Sequence, residues 1–211
     1  MKFVVVILFT IVGTTAFSQS KEDVALNNQA VALMEEGKYK EALPVLNRLA
    51  EKDTANYIFR YNRAVTFFNL KQYQNAIAEY KYLNRLIPEQ TEYIFQIGNA
   101  YEHLDSSNLA ISYYNEAIAV DSDHFIYFFK RGTQFLKQEK FKEAIDDFGA
   151  ALELNPKHRN SYHNRGIARY KLGNYKEACD DWCTADQMGN PHSKTHLTQF
   201  CNKYQPCRTD K

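Results

Sequence analysis

RGTQFLKQEKFKEAIDDFGAALELNP, residues 131–156, is followed 34 positions later by RGIARYKLGNYKEACDDWCTADQMGN, residues 165–190. Aligned, the two stretches keep a small residue (Gly132, Gly166), an aromatic (Phe141, Tyr175), an alanine (Ala144, Ala178) and a second aromatic (Phe148, Trp182) in register. The register extends upstream without insertion. Tyr39, Tyr73 and Ser107 precede Phe141 and Tyr175; Ala42, Ala76 and Ala110 precede Ala144 and Ala178. Leu46, Tyr80 and Tyr114 occupy the large slot, and Ala30, Ala64 and Gly98 the small one. Five copies of a 34-residue unit run through the chain, and a fixed period of this length is the mark of a repeat architecture.

Each copy reads as two apolar-periodic helices joined by a short turn such as LGNY or EGKY. The small residue of the first helix admits the second helix closely, and the alanine of the second does the same in return. The large residue fills the space left between them. Pro88 and Pro156 stand where the second helix must stop, with Pro191 one position late. One unit cannot bury its apolar faces alone, whereas stacked units can.

The period, the small–aromatic–alanine–aromatic pattern and the terminal prolines resemble the tetratricopeptide repeat. The resemblance covers Asp23 to Asn190, with repeats at 23–56, 57–90, 91–124, 125–158 and 159–192. It implies an all-α fold: a right-handed superhelical solenoid of five helix–turn–helix repeats. The third repeat departs most, because its turn, LDSSN, lacks both the glycine and the aromatic. Pro44 falls early in the second helix of the first repeat, where a lost hydrogen bond costs less than at mid-helix. Residues 193–211 read as a capping helix, with His196, Leu197, Phe200 and Tyr204 at helical spacing, followed by a tail.

The stretch KEACDDWCTA, residues 176–185, carries suggestive chemistry that the repeat largely absorbs. Trp182 occupies the large core slot. Asp180 and Asp181 match Asp146 and Asp147 one period earlier, which reads as a solvated helix face. Neighbouring helical residues also point about 100° apart, poor geometry for a general acid and base on one substrate. The cysteines are different, since no other repeat has them. All four, Cys179, Cys183, Cys201 and Cys207, lie near the C-terminal end, which in an exported chain suggests two disulfides. A Cys179–Cys183 bond would be strained within one helical turn. Cys179–Cys201 with Cys183–Cys207 is favoured; Cys179–Cys207 with Cys183–Cys201 is the alternative. His192 and His196, four apart, could add a cysteine to make a zinc site, but no second CxxC or HExxH pattern accompanies them.

The N-terminal MKFVVVILFTIVGTTAFSQS has the layout of a secretory signal peptide, with cleavage expected after Ser18 and, as the alternative, after Ala16. Its apolar run is too short to span a bilayer, which takes roughly 20 apolar residues. Loss of Lys2 with the signal brings the formal charge from +1 to zero. A neutral chain offers no electrostatic case for nucleic acid or anionic lipid. The expected location is therefore exported, periplasmic or secreted, with no transmembrane segment after cleavage. The chain resembles exported tetratricopeptide proteins of Gram-negative bacteria.

In that family the first helices line a concave surface that holds extended peptides or helices. Carried onto this chain, its inward positions give an aromatic-lined trough with an amide rail: Asn28, Tyr61, Asn62, Phe68, Phe95, Asn99, Phe129, Lys130, His163 and Asn164. Aromatics supply contact area at low entropic cost, and amides pair with a ligand backbone. The carboxylate clamp of some family members is absent: repeats one to three match it only at Asn62, and repeats three to five only at Asn99. The sequence thus predicts a non-enzymatic adaptor of the cell envelope, with no cofactor or metal, binding a protein or peptide partner. Two other classes stand beside it: a self-associating structural protein whose trough holds another copy, and a metal-dependent or enzymatic module built on His192, His196 and the C-terminal cysteines.

Overall fold

The computed structural model describes residues 20–204 and Cys207. The signal peptide expected over 1–18, and the tail residues other than Cys207 after Tyr204, lie outside them. The described chain is all-helical and falls into two compact units, one ending at Ile87 and the other beginning at Pro88. The first contains α1 (Lys21–Glu35), α2 (Tyr39–Lys52), α3 (Tyr57–Asn69) and α4 (Tyr73–Leu86). The second contains α5 (Thr91–His103), α6 (Ser107–Val120), α7 (Phe125–Lys137), α8 (Phe141–Leu154), α9 (Arg159–Lys171), α10 (Tyr175–Gln187) and α11 (Ser193–Phe200). Within each unit, consecutive helices pack as antiparallel hairpins, layer on layer. No helix of the described residues is long and apolar enough to cross a membrane.

Local chemistry sets the helix ends. The Ser20 hydroxyl accepts from the Asp23 N–H at the start of α1, and the Asn56 side chain accepts from the Ile58 and Phe59 N–H groups at the start of α3. These caps satisfy donors that have no partner inside the helix. Each first helix ends in the same pair of backbone bonds, typified by Lys38 N–H to Leu33 C=O and Gly37 N–H to Met34 C=O. The residue at the turn takes a left-handed conformation in all five hairpins: Gly37, Lys71, Asp105, Glu139 and Gly173. This ending normally selects glycine. Three of the five turns do without it, including the LDSSN turn. The helix α2 runs through Pro44 unbroken.

The core repeats with the sequence. In unit one, Ala30 meets Leu46 in one cluster, and Ala64 and Tyr80 are both buried. In unit two the small slots are glycines, and a methyl group there would strike the large partner. A Cβ on Gly98 would lie 2.7 Å from Tyr114 Cε1, and one on Gly166 would lie 2.6 Å from Trp182 Nε1. The helices therefore meet closer than any side chain allows. Trp182 is buried, and its indole N–H donates to the His163 carbonyl.

The aspartate pairs are not a solvated face. Asp147 is 4% exposed and Asp181 3%. Each is gripped by the arginine sixteen positions earlier, Asp147 by Arg131 and Asp181 by Arg165, through two hydrogen bonds each. Arg169 adds a third bond to Asp181. Only Asp146 and Asp180 point outward. The pairs repeat at the structural period because the contact between the two helices of a hairpin repeats. Burial pushes the Asp147 carboxyl above the usual carboxylate range, against the pull of Arg131.

Candidate functional site

The residues expected to line the trough do not form one uniform surface. In unit one, Asn28 is exposed on α1. Asn62 donates to the Asn27 side chain at 2.9 Å, so part of its amide is already used within the unit. Tyr61 sets its edge on Tyr80, and Phe68 on Tyr73; all four rings are at least half-buried.

In unit two, Phe95 is 8% exposed and belongs to the packed core, with its ring centroid 5.8 Å from Tyr114 and 4.9 Å from Tyr127. Asn99 is buried as well. It accepts from the Tyr114 hydroxyl and donates to Gln96. Lys130 bonds Glu102 at 3.1 Å, and Glu102 also accepts from Tyr114 at 2.9 Å. Burial raises the Tyr114 hydroxyl pKa far above the ordinary tyrosine value, and the Glu102 carboxylate adds to the shift. Tyr114 is therefore a hydrogen-bond donor at every physiological pH, and the Lys130 charge is matched by Glu102. These side chains stabilise one another and leave little unpaired capacity for a ligand.

Phe129, His163 and Asn164 are brought together. They line a cavity of about 420 Å³ between α7, the start of α9 and the turn between α10 and α11. Arg159, Asn160, Asn190, Pro191 and His192 complete its wall. The Phe129 ring lies between Phe148 and the edge of His158. His163 is 8% exposed and its Nδ1 lies 2.8 Å from Ser193 Oγ. Burial, and then the neighbouring His196 and His192, bring its pKa down to about 4, so its ring is neutral near pH 7. Asn164 makes no side-chain hydrogen bond among the described residues, which leaves a full set of amide donors and acceptors at the cavity wall.

Asn190 organises this end of the protein, and the repeat pattern gives no notice of it. Its side-chain oxygen accepts from the His192 and Ser193 N–H groups and from the Ser193 hydroxyl, capping α11. Its nitrogen donates to Asn160 at 3.0 Å. One amide thus ties α9 to α11. An asparagine followed by proline, just ahead of a helix, is a recognisable capping signal.

Below the cavity, α11 closes the last apolar face. Leu197, Phe200 and Tyr204 pack on Ala178, Cys179, Trp182 and Cys201. The His196 ring lies 4.7 Å from Trp182. The sulfurs of Cys179 and Cys201 lie at bonding distance, with Cα atoms 5.7 Å apart; Cys183 and Cys207 are joined likewise, with Cα atoms 5.6 Å apart. Both separations suit a disulfide. Among the described residues, no three His, Cys, Asp or Glu side chains are grouped to hold a metal ion. His196 Nδ1 instead lies 3.0 Å from the His192 carbonyl.

Three family models agree with this architecture. Two tetratricopeptide repeat models match residues 27–91 and 91–124, and a TPR repeat model matches 132–173. The human protein DnaJ homolog subfamily C member 3 is 27% identical over 106 residues, half of this chain and 21% of that protein. The chain thus spans about a fifth of that relative's length. Among solved structures, MamA 41-end from Desulfovibrio magneticus RS-1 superposes with a TM-score of 0.74 at 16% identity, covering 81% of this chain and 97% of that one. YrrB, described as a TPR protein with an unusual peptide-binding site, gives 0.68 at 18% identity, covering 84% and 93%. At these identities the structural likeness shows the fold alone.

Proposed function

The chain is built of tetratricopeptide repeats, a fold typical of protein–protein interaction scaffolds, and from that premise we propose that it is a non-enzymatic adaptor of the cell envelope. Its partner is a peptide or helix held against the first-helix face. The observation that carries the reading is the cavity beside Phe129, His163 and Asn164: an aromatic wall, an unused amide and a neutral imidazole converge there. Such a wall suits a peptide whose apolar side chain meets Phe129 while its backbone pairs with Asn164. The peptide-binding site of YrrB, a protein of the same fold, supports this use of the scaffold. Export is part of the proposal. It rests on the signal-like N-terminus and on four cysteines arranged as two bonded pairs.

The test places a photo-crosslinker at Asn164, and in a second protein at Glu153, which is exposed on α8. Both are expressed with the full N-terminus, and the mature end is read by mass spectrometry. The proposal expects cleavage after Ser18. It also expects a defined envelope protein crosslinked from position 164, absent from 153 and lost in Phe129→Ala. An intact N-terminus would overturn export, and identical adducts from 164 and 153 would overturn the site.

A further inference from the structure

The two cysteine pairs tie the same helix to the same C-terminal segment, yet they differ in solvent access and in hydrogen bonding to sulfur. Cys179 is 0% exposed and Cys201 1%, under the Trp182 and Phe200 rings. No hydrogen-bond donor meets either sulfur among the described residues. In the second pair, Cys183 is 4% exposed but Cys207 is open to solvent. The Gln187 side-chain amide donates to Cys183 Sγ at 3.4 Å.

Exchange requires a thiolate to reach one sulfur and the other sulfur to leave as a thiolate. Access and leaving-group stabilisation therefore decide which bond opens and at which end. We propose that Cys183–Cys207 is a thiol-exchange site for external thiols, attacked at Cys207, and that Cys179–Cys201 is a closed structural bond. The external thiolate attacks Cys207 Sγ. The Cys207–Cys183 bond breaks and its electron pair stays on Cys183, where Gln187 donates to the departing thiolate before water protonates it. A mixed disulfide remains on Cys207. A second external thiol then attacks the external sulfur of that adduct, releasing Cys207 as a thiol and carrying away an external disulfide. Two thiols are oxidised for each protein disulfide reduced. The end of α11 stays clamped throughout by the inner bond, so opening the outer one releases Cys207 from α10 without releasing the face that covers Trp182.

The probe is reduced glutathione added to the oxidised, purified mature chain. The reaction is quenched by alkylation at intervals and the peptides are mapped by mass spectrometry. The inference expects the glutathione adduct on Cys207, alkylation on Cys183, and an intact Cys179–Cys201 bond with helicity and Trp182 fluorescence retained. Gln187→Leu, which keeps the helix, should slow the opening roughly three- to tenfold through loss of the bond to the leaving sulfur. Alkylation of Cys179 or Cys201 on the same timescale, an adduct on Cys183, or free thiols in the purified chain would overturn the assignment. An unchanged rate in Gln187→Leu would remove Gln187 from it.

Discussion

In the hairpin α7/α8, Arg131 and Asp147 face each other across the helix contact with two hydrogen bonds. In α5/α6 the same two positions hold Ile97 and Tyr113. Ile97 is fully buried, and the Tyr113 ring stacks on Tyr101 at 5.5 Å. The backbone contact repeats, while its chemistry has been exchanged from ionic to apolar. That exchange shows that the fold requires occupied volume at these positions and does not require charge. A buried ion pair recovers its desolvation cost only when both partners are present, and an apolar pair of similar volume can replace it at little loss.

The largest effect should come from breaking the pair on one side. Asp147→Ala leaves Arg131 with Asn115 as its hydrogen-bond partner and should cost about 3–5 kcal/mol in urea unfolding followed by circular dichroism. Moving the α5/α6 solution across, as Arg131→Ile with Asp147→Tyr, should bring stability back to within about 1.5 kcal/mol of the parent. A double variant as unstable as Asp147→Ala would show that the two hairpins are not interchangeable and would break the comparison.

The glycines sharpen the same contrast. A Cβ at Gly166 would sit 2.6 Å from Trp182 Nε1 and 3.1 Å from the Ala178 carbonyl. The indole cannot turn aside without losing its bond to His163, and the carbonyl belongs to the backbone of α10. At Gly132 the nearest atoms, Asp147 Cβ and Phe148 Cε1, are 3.0 Å away. Gly149, on α8, has nothing within 4 Å. Alanine gains about 1 kcal/mol of helix propensity at any of these sites. Gly166→Ala should nevertheless lose about 2–3 kcal/mol, Gly132→Ala should stay within about 1, and Gly149→Ala should gain about 0.5–1. Thermal unfolding of the three proteins checks the order. A neutral Gly166→Ala would mean that the helices are free to move apart.

Most of the fold is legible in the sequence because one contact recurs. The small and large slots sit sixteen residues apart in every repeat, and the 34-residue period carries them unchanged through Trp182. The aspartates mislead because the period marks a structural position without saying whether it faces inward, and the arginines that bury them lie on the other helix. The cavity is only partly legible. Phe129, His163 and Asn164 come from the repeat, but Asn190 stands where the preceding repeat has Pro156, and Ser193, which meets His163, lies beyond the last repeat. Phe95 illustrates a further limit. A one-position rotation of a helix decides between trough and core, and here its ring lies against Tyr114 and Tyr127.

The third repeat supplies the smallest effect and the most discriminating one. Four repeats open their second helix with an aromatic, and the third has Ser107. Two periods on from Thr66, one on from Ala100 and one before Ala168, the first helix of the next repeat carries Gln134. Gln134 is fully buried, and its side-chain oxygen accepts from the Ser107 hydroxyl at 3.0 Å while its nitrogen has no hydrogen-bond partner among the described residues. The longer amide thus occupies volume that the missing ring leaves, at the expense of an unsatisfied donor. Ser107→Tyr alone should overpack this site and lose about 1–3 kcal/mol. Ser107→Ala alone should lose about 1–2, because both ends of the buried amide then lack partners. Ser107→Tyr with Gln134→Ala restores the aromatic–small pairing of the other repeats and removes the orphaned nitrogen. It should match the parent or exceed it, giving a favourable coupling of about 1–3 kcal/mol in a double-mutant cycle. Additive losses would show that Ser107 and Gln134 do not share one space, and that the departure of the third repeat has a different physical origin.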